Sequence, residues 1–163
     1  MSVNIKKGLE FRDGEIKLFD ERVVLFPPSV ISLLGSVYGQ GSKPLMVYLG
    51  KKIGRFLVER WEEAARPKNL NQLVEVFFEM TGLSGWGTFK IESVSDQEII
   101  CELRDNVALS EDRPNTHICD FLTGYLSGLG EFAYFSAKVT EMSCSITDKS
   151  HAACEFRIKN MAR

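Results

Sequence analysis

The sequence predicts a fold that mixes β-hairpins with amphipathic helices, because two kinds of hydrophobic periodicity alternate along the chain. Short runs typical of strands occur near the N-terminus, within residues 85–104 and near the C-terminus. Between them, apolar residues recur at the three- and four-residue spacing of a buried helix face. The 163 residues, with 44% hydrophobic and 26% charged content, predict a single domain over 1–163 with a proper core.

Charge, termini and cysteine content argue against several classes of protein. The formal net charge of −2 creates no strong field for nucleic acid or anionic membrane, so we expect no direct nucleic-acid partner. The N-terminal segment MSVNIKKGLEF lacks the apolar core of a signal peptide, and no apolar run reaches membrane-spanning length. Without an export signal, the four cysteines indicate thiols or metal ligands rather than disulfides, and we expect a cytoplasmic protein.

The first part of the chain predicts a hairpin, a short helix and a joint. Two β-prone runs within residues 15–26 predict the hairpin. Pro27 and Pro28 end its second strand, and Ser29 is the expected cap of a short apolar helix. Residues 38–44 contain glycines, but neither the phosphate-loop nor the dinucleotide spacing is present. A flexible joint between two helices is therefore the better interpretation.

Residues 45–65 show the clearest long helical pattern. Gly50 and Gly54 lie one turn apart within it, although glycine costs about 1 kcal/mol relative to alanine in a helix interior. Two glycines at this spacing indicate the close approach of another backbone or of a ligand, and helix packing is the simpler explanation. The buried stripe expected for this helix comprises Leu45, Leu49, Ile53, Phe56, Leu57 and Trp61.

A further helix is expected after residue 68, with Asn69 as its N-cap. Phe77 and Phe78 are adjacent in it, so at most one of them faces the centre of the buried stripe. The other lies at the edge of the stripe, or lines a cavity or an interface.

The runs 85–94 and 98–104 flank a short polar turn, which is typical of a hairpin. Trp86 lies between two glycines, where it belongs either to the core or to the wall of a pocket. Cys101 falls on the apolar face of the second strand and is most simply a core thiol.

The stretch from Cys119 to Cys154 carries the pattern that points most clearly to chemistry. Cys119 falls in the first turn of a helix expected to be capped by Asn115 or Thr116. Free N–H groups and the helix dipole favour a thiolate there, and the thiolate is the form that binds a metal. Further along, Gly124 and Gly128 repeat the one-turn glycine spacing.

The last hairpin supplies three more candidate ligands. Glu141 and Cys144 would point to opposite faces of a regular strand, because side chains alternate with a period of two. A β-bulge at Met142-Ser143 would place them on the same face, with Cys154 across the ribbon. Together with Cys119, these residues would complete a tetrahedral structural zinc site with no open position.

The same residues are also compatible with two alternatives to this zinc site. Three buried cysteines beside an exposed Glu141 would give the same sequence without a metal. His117 and His151 are alternative ligands, because each is close in sequence to a cysteine.

This stretch resembles the 4-vinyl-reductase-like domain through C-x-F-L-T-G-Y-L-S-G from Cys119, followed by E-x-x-C and C-x-F. The Y-x-G-x-x-x-G around Gly50 belongs to the same resemblance, which covers about residues 15–160 and is most specific over 117–158. Relatives include sensor domains of aromatic-hydrocarbon-responsive activators, subunits of the Golgi transport particle and a protein associated with bacteriochlorophyll synthesis. In the sensors, zinc is held by three cysteines and a glutamate, a pattern that maps onto Cys119, Glu141, Cys144 and Cys154.

The resemblance implies an α+β fold in which helices pack on an antiparallel sheet, with a hairpin near each terminus. Ligand-binding domains of the NO-signalling and Golgi-transport type have this architecture. The resemblance also implies a homodimer and a cavity for a small hydrophobic molecule. One departure is the loop between Cys144 and Cys154, which lacks the glycine that the family often has. The residues expected in the cavity wall are Trp86, Phe77, Phe78, Tyr125, Gly50 and Gly54.

Three functions follow as hypotheses. The first is a stand-alone binding module for a small hydrocarbon or aromatic ligand, stabilised by structural zinc. The second is an enzyme or accessory factor in tetrapyrrole vinyl reduction, although the sequence offers no catalytic constellation and no nicotinamide fingerprint. The third is an assembly subunit that acts through its interface. An apolar pocket beside the zinc would favour the first, and an extensive apolar outer face would favour the third.

Overall fold

The computed structural model, which describes residues 9–18, 21–111 and 115–162, shows an α+β fold with antiparallel sheets. The first sheet has the order β1-β2-β3, and the second has the order β4-β5-β7-β6. The described strands are β1 (Leu9–Arg12), β2 (Glu15–Leu18), β3 (Glu21–Val23), β4 (Thr88–Val94), β5 (Glu98–Arg104), β6 (Ala137–Ser143) and β7 (Cys154–Asn160). The described α-helices are α1 (Ser29–Tyr38), α2 (Ser42–Ala65), α3 (Leu70–Leu83) and α4 (His117–Tyr134).

The N-terminal part confirms the predicted hairpin and adds one strand. β2 pairs with β3, and β1, which the sequence pattern did not predict, pairs with the other edge of β2. The expected role of Ser29 is wrong: Ser29 is the first residue of α1, and Pro28 occupies the cap position. The carbonyl groups of Pro27 and Pro28 instead accept hydrogen bonds from the N–H groups of Val30 and Ile31, at 3.1 and 2.9 Å. A short 3₁₀ turn, Gly39–Gly41, forms the predicted joint to α2.

Helices α2 and α4 lie in direct backbone contact through the two glycine pairs. A Cβ atom at Gly50 would overlap the carbonyl oxygen of Phe121, and one at Gly54 would overlap that of Tyr125. From the other side, a Cβ atom at Gly124 would overlap the carbonyl oxygen of Val47. The glycines therefore allow an approach between helices that no other residue type permits.

The buried face of α2 is the glycine face, so the predicted stripe is only partly right. Trp61 is buried, and Leu45, Leu49 and Leu57 pack half-buried against the core, but the prediction is wrong for Ile53 and Phe56. Ile53 and Phe56 remain 43% and 46% exposed. The physical reason is that α4 lies closest where side chains are absent, and the predicted stripe lies about a third of a turn around the helix from that contact. The residues that α2 buries are Ser42, Met46, Gly50, Gly54, Val58 and Trp61.

The second sheet and α3 enclose the rest of the core as predicted. Ile99, Cys101 and Leu103 are fully buried on one face of β5. Asn69 caps α3, because its Oδ1 accepts a hydrogen bond from Gln72 N at 3.0 Å. Phe77 is also buried in the core. Within the described ranges, no helix combines the length and the apolar character needed to cross a bilayer.

The α2–α4 contact generates a stability prediction for Gly50→Ala. The added methyl group has only backbone atoms to displace, so we expect a loss on the order of 3 kcal/mol in the free energy of unfolding. Gly41→Ala is the matched control, because no atom lies within 4 Å of its added Cβ and φ is −80°. We expect it to change stability by less than about 1 kcal/mol. Chemical denaturation of both variants measures the difference, and equal stability would contradict the backbone contact.

Candidate metal centre and aromatic cluster

The edge strand β6 contains the β-bulge that the spacing of Glu141 and Cys144 requires. Glu141 is paired with Phe156 and Ser143 with Glu155, so Met142 has no partner in the ladder. The extra residue changes the register of the strand and brings Glu141 and Cys144 to the same site. The predicted bulge is therefore confirmed.

Four candidate ligands from three parts of the chain converge at this site. Cys119 comes from the first turn of α4, Glu141 and Cys144 from the bulged end of β6, and Cys154 from the start of β7. Their ligand atoms all lie within 4.8 Å of one another, and the sulfur atoms of Cys119 and Cys144 are 3.7 Å apart. The three thiols are buried and Glu141 is partly buried. Three sulfurs and one carboxylate oxygen form a set that can hold a metal ion with no position left open.

A buried asparagine side chain forms hydrogen bonds with two of the three sulfur atoms. Asn106 Nδ2 donates to the sulfur atoms of Cys119 and Cys154, at 3.5 Å each. Its Oδ1 accepts a hydrogen bond from Ala108 N at 3.0 Å, which fixes the orientation of the amide. Ser145 Oγ lies 3.3 Å from the sulfur of Cys154. Asn106 was not among the predicted site residues, because an asparagine after a strand gives no signal in the sequence that it is buried.

The proton distribution among the thiols differs from the sequence-based expectation. A hydrogen bond from Cys119, supported by those from Ser145 and Asn106, lowers the pKa of Cys154 to about 5. The same hydrogen bond, together with burial and the nearby Glu141, raises the pKa of Cys119. Without a metal, these local effects raise the pKa of Cys119 in spite of its position at the helix start.

The site fits a cation on chemical grounds. Burial raises the pKa of Glu141, although the proximity of the Cys144 and Cys119 thiols acts against this. Its Oε1 atom is buried and has no hydrogen-bond partner. A buried oxygen without a partner is costly, and a metal ion among these ligands would satisfy it.

The histidines considered as alternative ligands lie elsewhere. His117 Nδ1 is 3.2 Å from Ser42 Oγ, where it links the starts of α4 and α2. His151 is exposed in the loop between β6 and β7, with Nε2 3.6 Å from Asp148 Oδ2. Neither belongs to the cluster of converging ligand atoms among the described residues.

A cluster of aromatic rings occupies the space between α3, α4 and the start of β4. Trp86 stacks on Phe121 with ring centroids 5.1 Å apart, and Tyr125 lies 5.1 Å from Phe77. The cluster, hereafter the aromatic cluster, consists of Trp61, Phe77, Phe78, Trp86, Phe89, Phe121 and Tyr125. Phe89 and Phe121 were not predicted as site residues.

Two buried hydroxyl groups lie inside the aromatic cluster. Thr81 Oγ1 donates to the carbonyl oxygen of Phe77 at 2.7 Å and lies 3.4 Å from the hydroxyl of Tyr125. Burial raises the pKa of Tyr125, so the phenol stays protonated at neutral pH. The hydroxyl of Tyr125 is thus a polar group held in apolar surroundings.

The structure separates the residues expected in the cavity wall into two groups. Trp86, Phe77, Phe78 and Tyr125 belong to the aromatic cluster, where the rings pack against one another. The glycines of α2 do not border empty space, because the backbone of α4 fills the side where their side chains would be.

The loop that carries Trp86 has an unusual backbone. Gly85 and Gly87 adopt φ values of +90° and +128°, which other residues rarely adopt. Trp86 itself is only partly buried, although its ring packs on Phe121. The stacked ring is therefore carried by a loop of two glycines at the surface end of the aromatic cluster.

A set of large apolar side chains is exposed on α1, on the segment before it and on one side of α2. Each of them is between 46% and 73% exposed. We refer to them as the outer apolar face: Val24, Leu25, Phe26, Leu33, Val37, Tyr38, Tyr48 and Phe56. Exposed apolar side chains in such number are uncommon for a monomer and are typical of contact surfaces.

Comparisons with known proteins show the fold. No family model matches the chain, and no curated protein matches it. Among solved structures, the chain is similar to the phenol-responsive sensory domain of the transcription activator PoxR with phenol, with a TM-score of 0.74 and 17% identity over 96% of this chain and 87% of that one. It is also similar to trafficking protein particle complex subunit 3 from Naegleria fowleri covalently bound to palmitic acid, with a TM-score of 0.60 and 11% identity over 82% of this chain and 94% of that one.

The predicted α+β fold of the sensory and transport-particle type is thereby confirmed. At these low identities, the similarity establishes a common fold.

The converging ligands generate a prediction about metal content. Purified protein should contain about one metal ion per chain, because four protein ligands define a single site. Cys154→Ser should abolish most of this content and lower the melting temperature, since metal binding contributes to folding free energy. Cys101→Ala is the matched control, because it removes a buried thiol from the same sheet and should keep the metal. Elemental analysis of the variants tests this, and equal metal content in all of them would exclude the site.

Proposed function

We propose that the protein is a binding module for a small hydrophobic molecule, aromatic or hydrocarbon, stabilised by a structural zinc ion. The observation that carries the proposal is the aromatic cluster, which gathers seven rings around one buried hydroxyl pair. Small-molecule sites combine apolar and aromatic walls with a few fixed polar groups, and this cluster has both.

A ligand reaches the cluster by displacing Trp86. The 5.1 Å separation of the Trp86 and Phe121 rings leaves no space between them, so binding requires one ring to move. Trp86 is the ring that can move, because it lies on the loop between Gly85 and Gly87 and is partly exposed. The ligand then takes its place against Phe121 and Tyr125. The similar PoxR domain, solved with phenol, supports this role.

Zinc is the metal that the ligand set favours, since thiolates with one carboxylate suit a borderline-soft ion in tetrahedral geometry. Cys119, Glu141, Cys144 and Cys154 would hold it. With all four positions filled by protein, the ion would supply a cross-link between α4 and the β6–β7 hairpin. None of the four cysteines is in a disulfide, which supports the expected cytoplasmic location.

Tryptophan fluorescence tests ligand binding. In a Trp61→Phe background, Trp86 is the remaining tryptophan, and its emission should change saturably during titration with phenol, toluene or indole. Displacement from the Phe121 stack exposes the indole to a different environment, so a shift in emission is expected. The variant Phe121→Leu, which removes the stacking partner, should weaken binding by about tenfold, the scale of one aromatic pair. The absence of saturation with every compound of a broad panel would contradict the proposal.

Homodimerisation through the outer apolar face is the second part of the proposal. Helix α2 has two apolar sides, and α4 covers only the glycine side. Eight large, half-exposed side chains can supply the roughly 800 Å² per partner that a standard interface buries. A second copy of the chain is the simplest partner, because it offers the same surface across a two-fold axis. This face equally supports the alternative function of an assembly subunit.

The mass in solution tests the dimer. We expect analytical ultracentrifugation to show a dimer of the 18.4 kDa chain, and Val37→Glu to shift it towards monomer by burying a charge in the interface. Leu83→Glu is the matched control, since Leu83 is 57% exposed but lies on α3. A monomer in the unmutated protein would contradict the homodimer. If the protein is a monomer and also binds no aromatic compound, the assembly subunit that pairs with a different protein becomes the better hypothesis.

A further inference from the structure

The free edge of β4 borders an apolar groove that shares Phe78 and Phe89 with the aromatic cluster. Among the described residues, β4 pairs with β5 alone and forms one edge of the four-stranded sheet. On its other side lies α3, and the groove between them has a volume of about 560 Å³. Its apolar lining includes Phe78 and Leu83 from α3, and Phe89 and Ile91 from β4.

The strand edge offers backbone hydrogen bonds to whatever occupies the groove. In an antiparallel ladder, alternate residues of an edge strand direct their N–H and C=O groups away from the sheet. β4 is regular from Thr88 to Ile91 and shifts its register between Ile91 and Ser93. Lys90, a residue type that often protects such edges, is held by Glu92 at 2.7 Å along the same strand. A short extended segment can therefore add to the regular part of β4.

The helical wall of the groove carries negative charge. Glu75 and Glu79 are exposed, lie one turn apart on α3, and both line the groove. Neither forms an ion pair with a described residue. Two unpaired carboxylates beside an apolar floor favour an occupant that combines apolar with basic side chains.

We propose that this groove binds an extended basic segment of a partner protein, which adds as a strand to β4. Alternate side chains of an added strand point to the same face, so its apolar residues contact Leu83 and Ile91. Lysine or arginine residues on that same face lie against Glu75 and Glu79, because both carboxylates are on α3. The main chain supplies affinity, and the carboxylates select a basic sequence.

A second copy of the chain fits this edge less well than a basic peptide. Antiparallel pairing of two β4 strands across a two-fold axis would bring both α3 helices to the same face of the joined sheet. Glu75 and Glu79 of the two copies would then lie on that face without positive partners, and like charges repel. The charge of the groove therefore favours a different molecule.

The test uses a capped peptide of about six residues, the length of an ordinary strand, in which valine and lysine share the alternate positions of one face and threonine fills the other face. Isothermal titration should show saturable binding of one peptide per chain. The same peptide with an N-methyl group on every backbone amide should bind about tenfold more weakly or not at all, because no N–H remains to donate to β4. These two peptides have the same side chains, so they separate strand addition from simple charge attraction.

Charge reversal supplies the matched protein controls. Glu75→Lys with Glu79→Lys should weaken the valine–lysine peptide by about tenfold or more and should gain binding of a valine–glutamate peptide. Glu63→Lys, an exposed charge reversal on α2 away from the groove, should leave both affinities unchanged. Circular dichroism confirms that each variant is folded.

Several outcomes would overturn the proposal. The first is the absence of binding by the valine–lysine peptide, and the second is equal binding of its N-methylated form. The third is an unchanged affinity for the valine–lysine peptide when Glu75 and Glu79 are replaced by lysine. Ultracentrifugation tests whether a second copy of the chain occupies the edge instead. If the peptide does not bind and the Glu75→Lys, Glu79→Lys variant dimerises more strongly than the unmutated protein, the edge belongs to a second copy. Because the groove variants leave Trp86 unchanged, failure here is distinguishable from failure of aromatic binding.

Discussion

The backbone contact between α2 and α4 determines where both candidate sites lie. Each helix has glycine at two positions of this contact, and each glycine costs about 1 kcal/mol of helix stability relative to alanine. In return, carbonyl groups of one helix meet Cα atoms of the other, and a large number of dispersion contacts forms along the two axes. The position of α4 is therefore fixed more rigidly than side-chain packing alone would allow.

Helix α4 links its contact with α2 to both the metal centre and the aromatic cluster. Its first turn carries Cys119, and the next two turns carry Phe121 and Tyr125. The residues whose carbonyl oxygens face Gly50 and Gly54 are the same Phe121 and Tyr125, whose rings point into the aromatic cluster. One short segment thus contacts α2 with its backbone and forms part of the aromatic cluster with its side chains. A shift of α4 relative to α2 would move the metal ligand and the rings together.

Local sequence patterns predicted most of the elements and the geometry of the metal centre. The odd spacing of Glu141 and Cys144 has few structural solutions, so a bulge at Met142 could be inferred from the period of a strand alone. The buried face of α2 could not be inferred in the same way. Periodicity detects apolar side chains, and a face buried through glycine carries no such signal. Asn106 was missed for a related reason, since only the fold shows that a loop amide lies behind two sulfurs.

The two apolar sides of α2 explain why function is harder to predict than fold. A single buried stripe would indicate a monomeric core, but α2 has a glycine side against α4 and an apolar side that the chain leaves half exposed. The same residues would serve a dimeric sensor or a subunit of a larger assembly. The aromatic cluster favours the binding role, because its buried hydroxyl pair resembles the few fixed polar groups of small-molecule sites.

The metal centre and the aromatic cluster are joined by two short paths, one through hydrogen bonds and one along the backbone, so the metal centre supports the aromatic cluster. Asn106 donates to the sulfurs of Cys119 and Cys154, and the N–H of the next residue, Val107, donates to the carbonyl oxygen of Trp86 at 3.2 Å. On the other path, Phe121 follows Cys119 by two residues and stacks on Trp86. Both faces of the stacked pair are thus anchored to the same group of sulfurs. A metal bound there would hold α4 and the β5–α4 loop at a fixed separation, so Trp86 could leave and return to Phe121 while its surroundings stayed in place.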